Sequence, residues 1–361
     1  MTNRMHTQLI DKARDSFDAL GLACFDTPLV LMVSGGSDST ALLLLAHELC
    51  KESSGNLDKL FVLHINHQLR GMDAQKDERF VVELCMQLKI GCKVVRGDIA
   101  ALAQERGVGV EQAGRMFRYE QAEQVSIEFL SQHAAPVCTN VPANKAISSP
   151  VFIATAHTAD DKAETLLQRL IVGGGSSSLA SIPRQNGKVV RPLLECTRQE
   201  LCDWLVLKNL NIEGCLWRED ATNTNTDYSR AFVRHELIPL LALRNPRIIE
   251  GLNRTANVLA SESAWLDEQA SILLPLSKDS FGAPLPLLRR AIYLACNEAI
   301  EELAPGARIT FEHVDLIAQG AAANGFACQI PGGIEVRTVK GQLVFSKAKP
   351  PQHDPRAKNK E

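Results

Sequence analysis

The stretch Leu29-Val30-Leu31-Met32-Val33-Ser34-Gly35-Gly36-Ser37-Asp38-Ser39 decides the fold. The apolar run Leu29 to Val33, bounded by Pro28, suits a buried strand. Thr40 to Leu49, with Leu42, Leu43, Leu45, Ala46 and Leu49 at helical spacing, suits the helix that follows. Strand, glycine-serine turn and helix N-terminus together make a site for phosphate. Glycines let the main chain approach the anion, N–H groups point outward, and the helix dipole favours negative charge. No Lys follows Gly35 and Gly36, so this is not the GxxxxGK[ST] loop that grips β- and γ-phosphates. Ser34, Ser37 and Ser39 offer hydroxyls instead, and Asp38 can cap the helix or help hold Mg2+. The plain alternative is a capped helix with no ligand.

The chain of 361 residues is long enough for about two domains and a substantial core. A charged fraction of 22% describes an ordinary globular protein. No apolar run is long enough to span a membrane, so no membrane partner is expected. The first thirty residues, with Asp11, Asp15 and Asp18, lack the layout of a signal peptide, and a cytoplasmic location is the expectation. The ten cysteines form no CxxC pair, as in reduced cytosolic proteins. With a net charge of −3, a nucleic-acid partner must meet a local basic patch.

Beyond the opening stretch, strand and helix patterns alternate. Strands are expected at Leu29–Val33, Leu60–Ile65, Cys92–Arg96, Val151–Ala156 and Val189–Leu193. Helices are expected at Thr40–Leu49, Asp77–Leu88, Gln112–Leu130, Asp160–Ile171 and Arg198–Leu207, the last opened by a capping box from Thr197 to Glu200. This pattern predicts an α/β fold: a doubly wound, mostly parallel five-stranded sheet with its ligand at the carboxyl ends of the strands. Ala134–Pro150 reads as an inserted surface loop, and Gly173–Ser178 as a mobile lid or a plain linker.

After Asn245 the character changes to helical patterns at Ile248–Ala270, Leu285–Ile300 and Phe311–Ala318, then short strands at Ile334–Val339 and Leu343–Phe345. The expected organisation is a catalytic domain over 1–245, a smaller helical α+β domain over 246–346, and a disordered tail over 347–361.

Four further clusters fall just after expected strands or at helix starts. His64-Ile65-Asn66-His67, followed by Leu69-Arg70-Gly71, can border a nucleotide or be a solvated strand end. Arg115 and Arg118 share a helix face that suits phosphate or a developing oxyanion, or else ion pairs to Glu111 and Glu120. His157 leaves a strand, and Asp161 and Glu164 lie three apart on the next helix. That acid pair can bind an amine, coordinate Mg2+ or accept a proton, while Asp160 reads as an acid satisfying the helix dipole. Glu219 to Arg230, running on to Arg234, reads as a structural turn before a helix stopped near Pro239.

SGGSDS resembles the pyrophosphate-binding loop of N-type ATP pyrophosphatases, which cut ATP between the α- and β-phosphates. The ordered set SGGSDS, HxNHxLRG, ExAGRxxRY, AHTADDKAET, RPLL and EDATNxNxDYSR–xxxR, from Leu29 to Leu241, resembles the tRNA(Ile)-lysidine synthetase family. Departures are Asn66, Gly114 and Ala231, where relatives favour Asp, Ala and Asn. The chain reads as too short for the further C-terminal tRNA-binding domain of longer members.

The resemblance implies a ligase that uses ATP and Mg2+ to join free L-lysine to carbon 2 of the wobble cytidine of CAU-anticodon isoleucine tRNA. It implies ATP binding by Ser34, Gly35, Gly36, Ser37, Asp38, Ser39 and His64, with Asp38 toward the metal. Asp161 and Glu164 would hold the lysine ammonium and help deprotonate it, Arg115 or else Arg118 would stabilise the adenylated base, and His157 would orient phosphate or lysine. Arg118, Arg230 and Arg234 would face tRNA, and a homodimer is compatible with that family. Competing expectations are a tRNA thiolase, an amidotransferase of the GMP synthetase type, and a nucleotide sensor without catalysis. The first needs reactive or cluster-binding cysteines and the second a glutaminase domain.

Overall fold

The computed structural model describes residues 2–68, 72–133, 151–212, 214–218 and 228–348. The expectations for Ala134–Pro150, Leu69-Arg70-Gly71, Glu219–Asp227 and the tail beyond Ala348 lie outside the described residues. The chain divides into two compact units, one ending at Val258 and one beginning at Leu259. The change of pattern after Asn245 therefore precedes the break between the units. Among the described residues no helix is long and apolar enough to cross a membrane.

In the first unit α1 (Thr2–Ala19) precedes β1 (Leu29–Met32), α2 (Ser37–Glu52), β2 (Leu60–Asn66), α3 (Met72–Leu88) and β3 (Gly91–Arg96). Then come α4 (Ile99–Arg106), α5 (Val110–His133), β4 (Phe152–Ala154), α6 (Ala159–Ile171), α7 (Ser176–Leu179), β5 (Gln185–Asn186), β6 (Val189–Val190) and α8 (Arg198–Lys208). The short helices α9 (Tyr228–Phe232) and α10 (Ile238–Ala242) flank a π-helical turn, Val233–Leu237, and α11 (Ile248–Ser271) begins in this unit and continues past its end at Val258.

The sheet has six strands in the order β3-β2-β1-β4-β6-β5. All pairs are parallel except β5 with β6, so the sixth strand is a short antiparallel edge beyond the five expected. Strand β1 is fully buried, and its side chains alternate between two cores. Leu29 and Leu31 face α1, α2, α3 and α8 through Phe17, Leu42, Leu84 and Trp204. Val30 and Met32 face α5 through Ala122 and Val125. A strand covered on both sides in this way reads as a continuous apolar run.

Two local expectations change. Pro239 does not stop a helix: it sits in the first turn of α10, directly after the π-helical turn. Proline tolerates a first turn because the N–H it lacks would have no partner there. The Gly173–Ser178 segment is held rather than loose. It winds into α7, and the Arg169 guanidinium donates to the carbonyls of Ser178 (2.6 Å) and Ser181 (2.9 Å).

The second unit contains α12 (Leu285–Leu303), α13 (Phe311–Gly320) and an antiparallel sheet of β7 (Ala327–Ile330), β8 (Ile334–Val339) and β9 (Gln342–Lys347). Ile292, Cys296, Ile317, Ile334 and Val336 form its core.

Leu43 on α2 has no exposed surface. Leu43→Ala should destabilise the first unit by about 2–5 kcal/mol, from lost burial plus the residual cavity. A lowered urea midpoint at unchanged slope is the expected result, and an unchanged midpoint would show that α2 is not packed in this way.

Candidate active site at the carboxyl ends of the strands

The strand order reverses at β1. The chain moves from β1 to β2 and β3, then returns through α5 to place β4 on the other side of β1. Open parallel sheets bind ligands at such a reversal, outside the carboxyl ends of the strands. The loop after β1 and the turn after β4 meet there, around a cavity of about 710 Å³.

Gly35 takes φ +97°, a region open to glycine and strained for other residues. Gly36 is the N-cap of α2 and offers no side-chain cap. The first-turn amides of a helix have no partner inside it, so an anion can take them here. Ser39 Oγ accepts from the amides of Ser34 (3.1 Å) and Gly35 (3.2 Å), and Thr40 Oγ1 donates to Gly35 O (3.2 Å). From the far side the Arg218 amide donates to Gly35 O (2.9 Å), while its guanidinium is tied to Asp77 (2.9 Å). The loop is set in shape before any phosphate arrives.

The second turn brings acids. Thr158 caps α6, and Asp161 Oδ2 accepts from Thr158 N (2.8 Å) and Oγ1 (3.0 Å) in a capping box. Asp161 Oδ1 accepts from Arg230 (2.8 Å) and lies 3.5 Å from Arg198 and 3.6 Å from Arg234. Desolvation pushes the Asp161 carboxyl up, yet Arg198, the Thr158 amide and Arg230 together bring it below its ordinary value. For Asp38 desolvation prevails and raises its carboxyl, although Arg198 Nε donates to Oδ2 at 3.0 Å. Asp160, expected to serve the helix dipole, accepts from the backbone amide of Arg198 (2.8 Å).

The structure brings Ser34, Gly36, Ser37, Asp38, Ser39, Arg118, His157, Asp161, Arg230 and Arg234 onto one cavity wall, with Gly35 in the loop behind. Three expected residues sit differently. His64 is buried behind the loop, its ring Nδ1 2.8 Å from Val33 O, and burial lowers its imidazole pKa. Side chains alternate along β2, so Leu63, Ile65 and His67 line the cavity instead. Glu164, 1% exposed, lies beneath the arginines: Arg234 donates to it at 2.6 and 3.1 Å and Arg230 at 3.0 Å. Arg118 reaches the cavity, while Arg115 lies over the Tyr119 ring, 5.1 Å from its centroid. Glu120, a candidate partner for these arginines, pairs with Arg106. Sequence reasoning missed Arg198, Trp217 and Arg218 as cavity residues. The only local signal for Arg198 is its place after the capping threonine.

A lysine-free glycine-serine loop at the reversal point of a parallel sheet defines a nucleotide-binding α/β protein. The PP-loop domain family matches residues 9–241, and the chain belongs to this ATP-binding family. Among its relatives, the tRNA(Ile)-lysidine synthase of Geobacter sulfurreducens is 35% identical over 309 residues, covering 80% of this chain and 58% of that protein. The tRNA(Ile)-lysidine synthase of Clostridium perfringens is 31% identical over 337 residues, covering 88% and 66%. The chain thus spans about half to two thirds of the length of such curated relatives. The U34-tRNA thiolase NcsA of Methanococcus maripaludis, solved with its [4Fe-4S] cluster, shares the fold with a TM-score of 0.55. It is 17% identical, and the match covers 72% of this chain and 80% of that one.

Burial pushes the His157 imidazole down to about 4, with Arg191, Arg230 and Arg115 adding to the effect against Asp161. Unfolded, the ring titrates near 6.5, so the unfolded chain binds this proton first and stability falls as pH drops from about 6.5 toward 4. An NMR titration should find His157 neutral at pH 6, and a midpoint above 6 would contradict this burial.

Proposed function

We propose that this chain uses ATP to ligate L-lysine to carbon 2 of the wobble cytidine of CAU-anticodon isoleucine tRNA, in the cytoplasm. One observation carries the reading: the SGGSDS loop and the acid-bearing turn after β4 open into a single cavity. A phosphate cradle and an amine-binding acid are the two parts that such a ligation needs.

In this reading the cytidine O2 attacks the α-phosphorus, and the bond to the β-phosphate bridge breaks. Pyrophosphate departs into the α2 N-terminus, where helix amides and the Ser34, Ser37 and Ser39 hydroxyls meet its charge. The ε-amine of lysine then attacks carbon 2, and AMP leaves with the former O2. Lysine is an ammonium near neutral pH, so it must first lose a proton. Asp161, held ionised and facing the cavity, is the carboxylate we assign to hold the ammonium, whose proton passes to water before the amine attacks. Arg230 and Arg234 occupy Asp161 and Glu164 in the structure, so an incoming ammonium exchanges with a guanidinium rather than entering an open acid pair. Arg118 is placed to meet charge on the adenylated base, and His157, neutral and facing Thr155 Oγ1 at 2.9 Å, can orient phosphate or lysine.

Mg2+ fits this wall in a restricted way. Among the described residues no three His, Cys, Asp or Glu side chains are arranged to hold a metal ion by themselves. Magnesium commonly takes one or two carboxylates plus substrate phosphates and waters. Asp38 can supply that single carboxylate, and the metal's chemistry there is neutralisation of phosphate charge.

Incubation with ATP, labelled lysine and CAU-anticodon transcripts should transfer lysine to the isoleucine transcript. No transfer to any transcript would overturn the proposal. Asp38→Ala should reduce pyrophosphate release by at least about a hundredfold, as expected for loss of charge handling at the leaving group. Near-normal release would remove the loop from the reaction. Glu164→Ala should keep release measurable and raise the lysine requirement, and an unchanged requirement would remove the acid pair from lysine binding.

A further inference from the structure

The sequence marks Arg198 only as the first residue of a capped helix, yet the fold makes it the meeting point of three carboxylates. Its Nε donates to Asp38 Oδ2 at 3.0 Å, and its Nη2 lies 3.5 Å from Asp161 Oδ1. Its backbone amide donates to Asp160 Oδ2 at 2.8 Å. Asp38 follows β1, and Asp160 and Asp161 follow β4, so one residue joins both turns of the cavity.

The main chain at this point is fixed. Glu200 accepts from Thr197 N (2.8 Å) and Oγ1 (3.0 Å), and Leu201, Trp204 and Leu205 anchor α8 in the core. The guanidinium itself remains on the cavity wall with 30% of the side chain exposed. Its ion pairs are half-buried, and their contribution to stability is intermediate between exposed and buried pairs. What the arrangement does provide is geometry. A planar guanidinium engages two acids along different edges in one fixed plane, whereas the three rotatable donors of an ammonium impose no such orientation.

We propose that Arg198 is a positioning residue that holds the phosphate-loop carboxylate Asp38 and the amine-side carboxylate Asp161 in fixed register. Its nucleotide half rests on the PP-loop fold alone, and its amine half rests on the lysine-ligation reading above. Without it, Asp38 loses its ion pair, and Asp161 keeps Arg230 and Arg234 but loses its link to the phosphate loop.

The test compares Arg198→Ala and Arg198→Lys with wild type in three readouts: melting temperature, Kd for Mg·ATP, and the lysine KM for transfer. Arg198→Ala should melt within a few degrees of wild type while the Kd and the lysine KM each rise about tenfold, the size of one lost charge-assisted contact. Arg198→Lys should restore the Kd to within about threefold and leave the lysine KM raised, because an ammonium restores charge beside Asp38 without the planar two-edge geometry that reaches Asp161. If Arg198→Ala does not fold, Arg198→Gln carries the same comparison. Kd and KM that stay at wild-type values, or that move only in proportion to lost folded protein, would overturn the proposal. A wild-type protein that binds Mg·ATP but transfers no lysine would remove the acceptor reading and the amine half together. An unchanged Kd in Arg198→Ala with lysine transfer intact would remove Arg198 and leave the acceptor reading standing.

Discussion

The pairing of β1 with β2 on one side and β4 on the other is the constraint on which the site depends. A strand with parallel neighbours on both edges and helices on both faces has no solvent-facing side. Its polar continuation can emerge only at its carboxyl end, so Ser34 through Ser39 must begin there. Because β4 pairs in the same direction, the turn that starts α6 emerges beside it. The proximity of phosphate loop and acids follows from strand direction.

Once the two turns are adjacent, their charges have to be reconciled. Glu164 is almost wholly buried, and a carboxylate in that position needs cationic partners. Arg230 and Arg234 supply them from α9 and the π-helical turn. Asp161 is shared among Arg198, Arg230 and Arg234, with its other oxygen committed to the start of α6. Arginine suits this work because it stays charged and its fork presents several donors at once. The cavity wall is therefore an alternating array of fixed charges, and an arriving ammonium or phosphate rebalances it.

What could be read from the sequence was local. SGGSDS, the Thr197–Glu200 capping box and the acids of AHTADDKAET each declare themselves within a few residues, and the structure forms each motif where its spacing placed it. What escaped depended on apposition. Arg198 and Arg218 matter because strands far apart in sequence become neighbours, and no spacing within one segment carries that information. His64 escaped through parity: its strand was legible, but which face of β2 looks into the cavity depends on β1 and α5. Glu164 was legible as an acid on the right helix face, while its covering arginines came from an element whose π-helical turn has no simple sequence period.

The hydrogen bond from the Arg218 amide to Gly35 O bears on how the protein is made. The glycine loop leaves the ribosome well before Arg218, the residue that closes over it from far along the chain. Contacts of such sequence separation form late, after much loop-closure entropy has been overcome. A nascent chain can thus bury β1 against its early neighbours while its phosphate cradle still lacks one wall. Nucleotide binding strong enough to stabilise the fold then becomes available only after Arg218 has emerged. Until then the growing chain relies on its apolar cores alone.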